Sequence, residues 1–336
     1  MSFGAGFDKF DKRQDRRILE KKTVLLFPTE RGNDMAFQII SDGSCDLGRK
    51  IVQKTGIKVV PFYVTFDGVN YKKEMEEISV RDFYQEMVDH PDRFPKSSLP
   101  SVQDYTDAFT PYAREGKDII CLCITTKFSG SYNSARTAAD LLSEEYPSVK
   151  IQVVDTTVNT VLQGILVLEA VRMQQAGFSF QETLEGIERI KVTGRIIFTV
   201  GNYEYLIHGG RIGKVMGTAA STLGIKPLIM LREGEIFPTG ISRSRKKAMK
   251  RLIEQTRDHF AKIGESAEDY RIVVGYGYDY QEAEVFRDEL LASVNTYAKY
   301  REIDIFQIGA TIGVHTGPYP IGLGLIRKYE KGRKEE

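Results

Sequence analysis

From Phe37 onward, short apolar runs alternate with segments whose apolar residues recur at helical spacing. Phe37-Gln38-Ile39-Ile40 predicts a strand, followed by a turn over 41–45, a helix over 47–55 and a second strand over 58–62. Residues 63–73 read as a hairpin around Asp67-Gly68, 80–88 as a helix, and 90–100 as a proline-punctuated loop. A helix over 102–115, the continuous apolar run Ile119-Ile120-Cys121-Leu122-Cys123-Ile124, a helix over 133–146 and a strand over 149–154 complete this half. Strands separated by helices imply a parallel sheet covered on both faces, whose ligands bind beyond the carboxyl ends of the strands.

After a long helix over 159–176 the rhythm changes. Strands over 196–200, 227–231, 235–238, 272–276, 303–308 and 322–327 mix with two amphipathic helices, 243–260 and 281–293. The short turn between Leu231 and Glu235 implies a hairpin, and with it a second α/β domain containing antiparallel pairs. The expected division is an N-terminal extension over 1–36, a first domain over 37–178 and a second over 179–332. The extension is a charged stretch and a short apolar run ending in Arg31-Gly32-Asn33-Asp34.

Composition narrows the function. Lys plus Arg number 47 against 46 Asp plus Glu, so the net charge of +1 provides no global field for nucleic acid. Three cysteines cannot build a disulfide framework, and Cys121 and Cys123 stand at alternate positions of one strand, where a bridge would be strained. No run of 18 apolar residues is present, and the charged start lacks the apolar core of a signal peptide, so a cytoplasmic protein without a transmembrane segment is expected.

Candidate chemistry clusters at element ends. The segment 125–135, Thr-Thr-Lys-Phe-Ser-Gly-Ser-Tyr-Asn-Ser-Ala, places hydroxyls and a glycine between a buried strand and a helix, an arrangement suited to a carboxylate or phosphate. Ordinary helix capping by Ser or Thr explains the same residues. Ser41-Asp42-Gly43-Ser44-Cys45-Asp46-Leu47 follows the first strand and combines turn formers with carboxylates, Ser97-Ser98-Leu99-Pro100-Ser101 offers hydroxyls before a helix, and Gly209-Gly210-Arg211 could fork a guanidinium onto an anion. Of four histidines, His315 lies between glycines, and His208 adjoins the Gly-Gly-Arg turn. The basic run Arg243, Arg245, Lys246, Lys247, Lys250 and Arg251 reads as a solvated face, a docking surface, or a point of transient contact with anionic lipid heads. The third glycine of a dinucleotide fingerprint, the phosphate-loop spacing, and the zinc and serine-hydrolase signatures are all missing, so neither a metal nor a cofactor is expected.

Taken in register, Ile40-Ser41-Asp42-Gly43-Ser44-Cys45-Asp46-Leu47, the Ser97 segment, Ser129-Gly130-Ser131-Tyr132-Asn133, Val154-Asp155-Thr156, Tyr205-Leu206 with Gly209-Gly210-Arg211-Ile212, Lys226-Pro227 and His315-Thr316-Gly317-Pro318 resemble the DegV family. The resemblance spans nearly all of 37–329. It implies a two-domain α/β fold of the EDD type, with an N-terminal Rossmann-like parallel sheet and a C-terminal α/β domain whose sheet is mixed or antiparallel. It further implies a long-chain fatty acid such as palmitate in a tunnel between the domains, its carboxylate held by Ser97, Ser129, Arg211 and His315. Ser41, Asp42, Ser44, Gly130, Ser131 and Asn133 would form the supporting loops. The family's described role makes the protein a carrier with no catalytic residue of its own, presenting the acid to a partner fatty acid kinase for acyl-phosphate formation. The alternative is a phosphotransferase or small-molecule kinase component of related fold, with His208 or His315 as phosphoryl carrier. Leu99, Ser97, Cys45 and Tyr319-Pro320-Ile321 depart from the family's usual residues.

Overall fold

The computed structural model describes residues 37–213 and 224–329; the expected extension over 1–36 lies outside them. All described residues belong to one compact unit. The fold is two-domain α/β, with a parallel sheet in the N-terminal part and a mixed sheet in the C-terminal part. The first sheet has the order β2 (Lys58–Val60), β1 (Phe37–Asp42), β6 (Asp118–Cys123), β7 (Ile151–Asp155), all parallel. Buried on both sides, its central strands need no polar alternation, and β1 and β6 read as unbroken apolar runs for that reason. Helices α3 (Val102–Arg114) and α4 (Ser131–Glu145) cover one face, where Tyr105, Phe109, Ala135 and Ala138 pack on Ile40, Ile119 and Cys121. Ser101 and Asp104 close a reciprocal capping box at the start of α3.

The second sheet comprises β8 (Arg195–Thr199), β9 (Lys226–Arg232), β10 (Glu235–Ser242), β11 (Tyr270–Tyr276), β12 (Asp304–Gln307) and β13 (Ile321–Arg327), in the order β10-β9-β8-β13-β11-β12. Only the β11–β12 pair is parallel. Helices α8 (Arg245–Ile263) and α9 (Tyr280–Val294) cover its outer face through Leu252, Phe260, Phe286 and Leu290.

Between the sheets runs α5 (Thr160–Gln175), with thirteen of its sixteen residues buried. A helix apolar all round belongs in an interior. It packs on β1 and the Gly43–Cys45 turn on one side and on β11 and β13 on the other. Close approach depends on glycine: a Cβ on Gly164 would strike the Cys45 backbone oxygen, and one on Gly324 would stand 3.2 Å from the Leu162 Cβ. After α5 comes α6 (Phe180–Lys191), which the sequence reading missed although Leu184, Ile187 and Ile190 recur at helical spacing behind a capping box of Ser179 and Glu182.

Two further departures from the sequence reading bear on the site. The presumed loop over 90–100 contains β5 (Lys96–Ser98), which joins β3 (Tyr63–Thr65) and β4 (Lys72–Lys73) in a small antiparallel sheet. The glycine-flanked segment around His315 is a short helix, α10 (Ala310–Thr316). It packs with α2 (Val80–Asp89) and α7 (Glu204–His208) in a third cluster containing Val64, Phe83, Tyr84, Tyr205, Ala310 and Val314.

Candidate functional site

The loop after β6 is fixed by a carboxylate beneath it. Asp42, at the end of β1, accepts hydrogen bonds from the Ile124 amide (2.9 Å) and the Ser131 hydroxyl (2.8 Å), gripping both ends of the segment 124–131. Gln163 of α5 donates to it at 2.8 Å, and Ser44 contributes its amide and hydroxyl. Ser41 donates to the Leu122 carbonyl, and the Tyr105 and Ser131 hydroxyls meet at 2.6 Å. Burial pushes the Asp42 carboxyl above the usual carboxylate range, although all these donors pull it back. Ser41, Asp42, Ser44 and Ser131 therefore form a buried network that positions the loop, while the Asn133 side chain is exposed. Gly130 caps α4, and Ser129 accepts the Ser131 amide at 3.2 Å.

His315 comes from the opposite side, on the last turn of α10. The N-terminus of this helix is held by Glu74, which accepts from the Ala310 amide (2.5 Å), the Thr311 amide (3.2 Å) and the Thr311 hydroxyl (2.7 Å). A carboxylate there satisfies helix-end donors and complements the dipole. Across Gly309 it faces a second buried carboxyl, Asp46, which accepts from Thr160 at 2.5 Å. Burial raises both pKa values, and the mutual repulsion of the two carboxyls raises that of Asp46 further.

The imidazole of His315 places Nε2 3.4 Å from the Ser97 hydroxyl. Its Nδ1 lies near the Gly209 carbonyl without meeting it at hydrogen-bonding geometry. Burial, reinforced by the Arg211 charge, pulls its pKa down to about 4, so the ring is neutral at physiological pH. Arg211 reaches across the mouth: its Nε and Nη2 each donate to the Phe128 carbonyl at 3.2 Å, and Nη1 donates to the Gly209 carbonyl at 2.8 Å.

These residues stand at one cavity of about 1160 Å³, part of it open to solvent. Ser97, Ser129, Arg211 and His315 all line it, with Leu99 at the rim. The interior wall is apolar: Ile124 and Phe128 from the first sheet's side, Val161 of α5, Ile196 and Phe198 of β8, Leu231 of β9, Ile236 of β10 and Leu323 of β13. A hydrophobic chamber with a few convergent polar groups suits a long apolar ligand with one anionic end. His208 is elsewhere, stacked on Phe94 with ring centroids 3.7 Å apart.

The basic run is partly committed to structure. Arg245 pairs with Glu282 at 2.6 Å and donates to the Tyr319 carbonyl at 2.7 Å. The sequence reading missed Glu74 and Asn159, the latter a further residue of the cavity wall, and held Asp46 only as one carboxylate of the segment 41–47. Glu74 sits in Lys-Lys-Glu-Met-Glu-Glu, which has the look of a solvated charge run. Among the described residues, no helix is long and apolar enough to cross a membrane, and no cluster of three or more His, Cys, Asp or Glu is arranged to hold a metal ion.

Comparison with known proteins matches residues 36–328 to the family model of the uncharacterised DegV proteins. A DegV domain-containing protein of Clostridium perfringens is 29% identical over 294 residues, covering 88% of this chain and 100% of that one. Among solved structures, a fatty acid (stearic acid)-binding protein from Eubacterium ventriosum superimposes with a TM-score of 0.83 at 40% identity, covering 88% of this chain and all of the other. A fatty-acid-binding DegV family protein from Thermus thermophilus follows at TM-score 0.76 and 28% identity, covering 87% of this chain and all of the other. The family model covers the segments that build both sheets and the cavity between them, and on that match the chain belongs to the DegV family.

Proposed function

We propose that the protein is a cytoplasmic long-chain fatty acid carrier that buries the acyl chain in the cavity and presents the carboxylate at its mouth. The observation that carries this reading is the apolar chamber ending in Ser97, Ser129, Arg211 and His315. The stearic-acid-binding relative at 40% identity supports it. Burying each methylene gains roughly 0.8 kcal/mol, so a long chain grosses on the order of 10 kcal/mol, against about 1.5 to 3 for each charge-assisted hydrogen bond. The chain sets affinity and the polar mouth sets register. A neutral His315 donates or accepts without adding charge, whereas Arg211 keeps an adjacent carboxylate ionised and nucleophilic. Phosphorylation by a partner kinase needs that presentation and no catalytic group here. In this reading the head-group domain is 37–178 and the domain closing the tunnel is 179–332.

Mass spectrometry of lipid extracted from the purified protein, with titration of a long-chain fatty acid into delipidated protein, tests the proposal. A bound acid and saturable uptake are expected; neither appearing rejects it. Stable labelling of His315 or His208 by a phosphoryl donor without a partner would replace it with the phosphotransferase reading.

A further inference from the structure

Beyond the mouth, most polar side chains in the cavity wall already have partners. The Thr160 hydroxyl is given to Asp46 at 2.5 Å, that of Thr311 to Glu74 at 2.7 Å, and that of Thr316 to the Ile312 carbonyl at 3.1 Å. Asn159 differs. It lines the same wall at only 9% exposure, its Oδ1 is buried with no hydrogen-bond partner, and it stands before α5 without capping it. A carboxamide oxygen left unpaired in a wall shared with Ile124 and Val161 is costly, and an apolar side chain would line a purely hydrocarbon tunnel better. The uncommitted group is also of a definite kind: a carboxamide can accept a hydrogen bond through Oδ1 and donate one through Nδ2, the two bonds that an alcohol offers and takes.

We propose that Asn159 is a second polar subsite of the cavity, which hydrogen-bonds a hydroxyl carried on the acyl chain, so that the protein accepts hydroxylated long-chain acids. The inference rests on the fatty acid reading. An apolar pocket disfavours an added hydroxyl by about a hundredfold, and a site that hydrogen-bonds the hydroxyl removes that penalty.

The test is competition binding of stearate and a positional series of monohydroxystearates to delipidated wild-type protein, Asn159→Val and Asn159→Ser. In the wild type, one isomer is expected to bind within about threefold of stearate or more tightly, with the others far weaker. Asn159→Val is expected to weaken that isomer by more than tenfold while leaving stearate unchanged or tighter; Asn159→Ser, which keeps a hydroxyl, is expected to fall between. The assignment is overturned if every isomer binds the wild type at least tenfold more weakly than stearate, or if Asn159→Val weakens all acids equally. The wild-type measurement decides even where a variant fails to fold. Failure of stearate itself to bind the wild type would instead remove the fatty acid reading, and this one with it.

Discussion

Replacing Glu74 by leucine separates the support of α10 from the chemistry at its far end. The change removes the acceptor of the Ala310 amide, the Thr311 amide and the Thr311 hydroxyl, in a region that excludes water. Each buried donor left unpaired costs about 1 to 3 kcal/mol. Relief of a desolvated carboxyl facing Asp46 returns part of that, leaving a net loss of roughly 3 to 5 kcal/mol. With an unfolding entropy of about 2.1 cal/mol/K per residue, this chain shifts by about 1.4 °C per kcal/mol, and the thermal midpoint should fall by roughly 4 to 7 °C. Glu74→Gln keeps one carbonyl oxygen for the Thr311 amide and hydroxyl and can turn its amide toward Asp46, leaving only the Ala310 amide without its acceptor, so its midpoint should fall by less than half as much as that of the leucine variant.

The pH dependence supplies a second readout. Burial holds the Glu74 and Asp46 carboxyls above their ordinary values, with Asp42 and Tyr84 nearby in the same interior. The folded protein thus keeps protons that the unfolded chain releases. This contribution to stability is complete below the unfolded value near pH 4 and declines as pH rises toward the raised folded values. Glu74→Gln should flatten the fall of the midpoint with rising pH. Scanning fluorimetry of the parent and both variants from pH 4 to 9 measures all of this. A leucine variant within about 2 °C of the parent, or a glutamine variant as damaged as leucine, would refute the reasoning.

Gly164→Ala should cost about 1 to 3 kcal/mol in urea unfolding, because the new Cβ meets the Cys45 backbone oxygen at the contact between α5 and the Gly43–Cys45 turn. Gly209→Ala should push His315 aside and weaken fatty acid binding while moving the thermal midpoint little, measured by titration beside a melting curve. Ser129→Ala should weaken carboxylate retention by about 1 to 3 kcal/mol, with unchanged affinity for an uncharged hydrocarbon probe. With the folded pKa of His315 lowered to about 4, the unfolded chain gains a proton first as pH falls below the ordinary histidine value near 6.5, so stability from this group is lost between roughly pH 6.5 and 4. His315→Gln should flatten that limb of the stability curve.

The elements that sequence pattern reveals are those whose burial is symmetrical or whose face is regular. The Ile119 run could only be a covered strand, and the change of rhythm after α5 does mark the passage to a mixed sheet. What pattern hides are elements held by distant partners. Ala310–Thr316 has glycines inside and beside it and is too short to be stable alone; its first turn depends on a carboxylate 236 residues earlier in the chain. Lys96-Ser97-Ser98 carries no apolar residue, and is a strand because Tyr63–Thr65 pairs with it. At the site, hydroxyls near a strand end announce an anion in general. Asn159 announced nothing, since an asparagine before a helix is an ordinary cap until its side chain is found without a partner.

The helix between the sheets makes the molecule mechanically lopsided. Along α5 the two halves share one core, and prising them apart there would expose a helix with thirteen of its sixteen residues buried and would break the hydrogen bonds of Thr160, Gln163 and Glu169. At the rim they meet through a guanidinium on the Phe128 carbonyl, an exposed contact that water can replace at little cost. Work done on the molecule is therefore released at the rim first, with α5 as the axle: the cavity can breathe at its edge without loosening its spine.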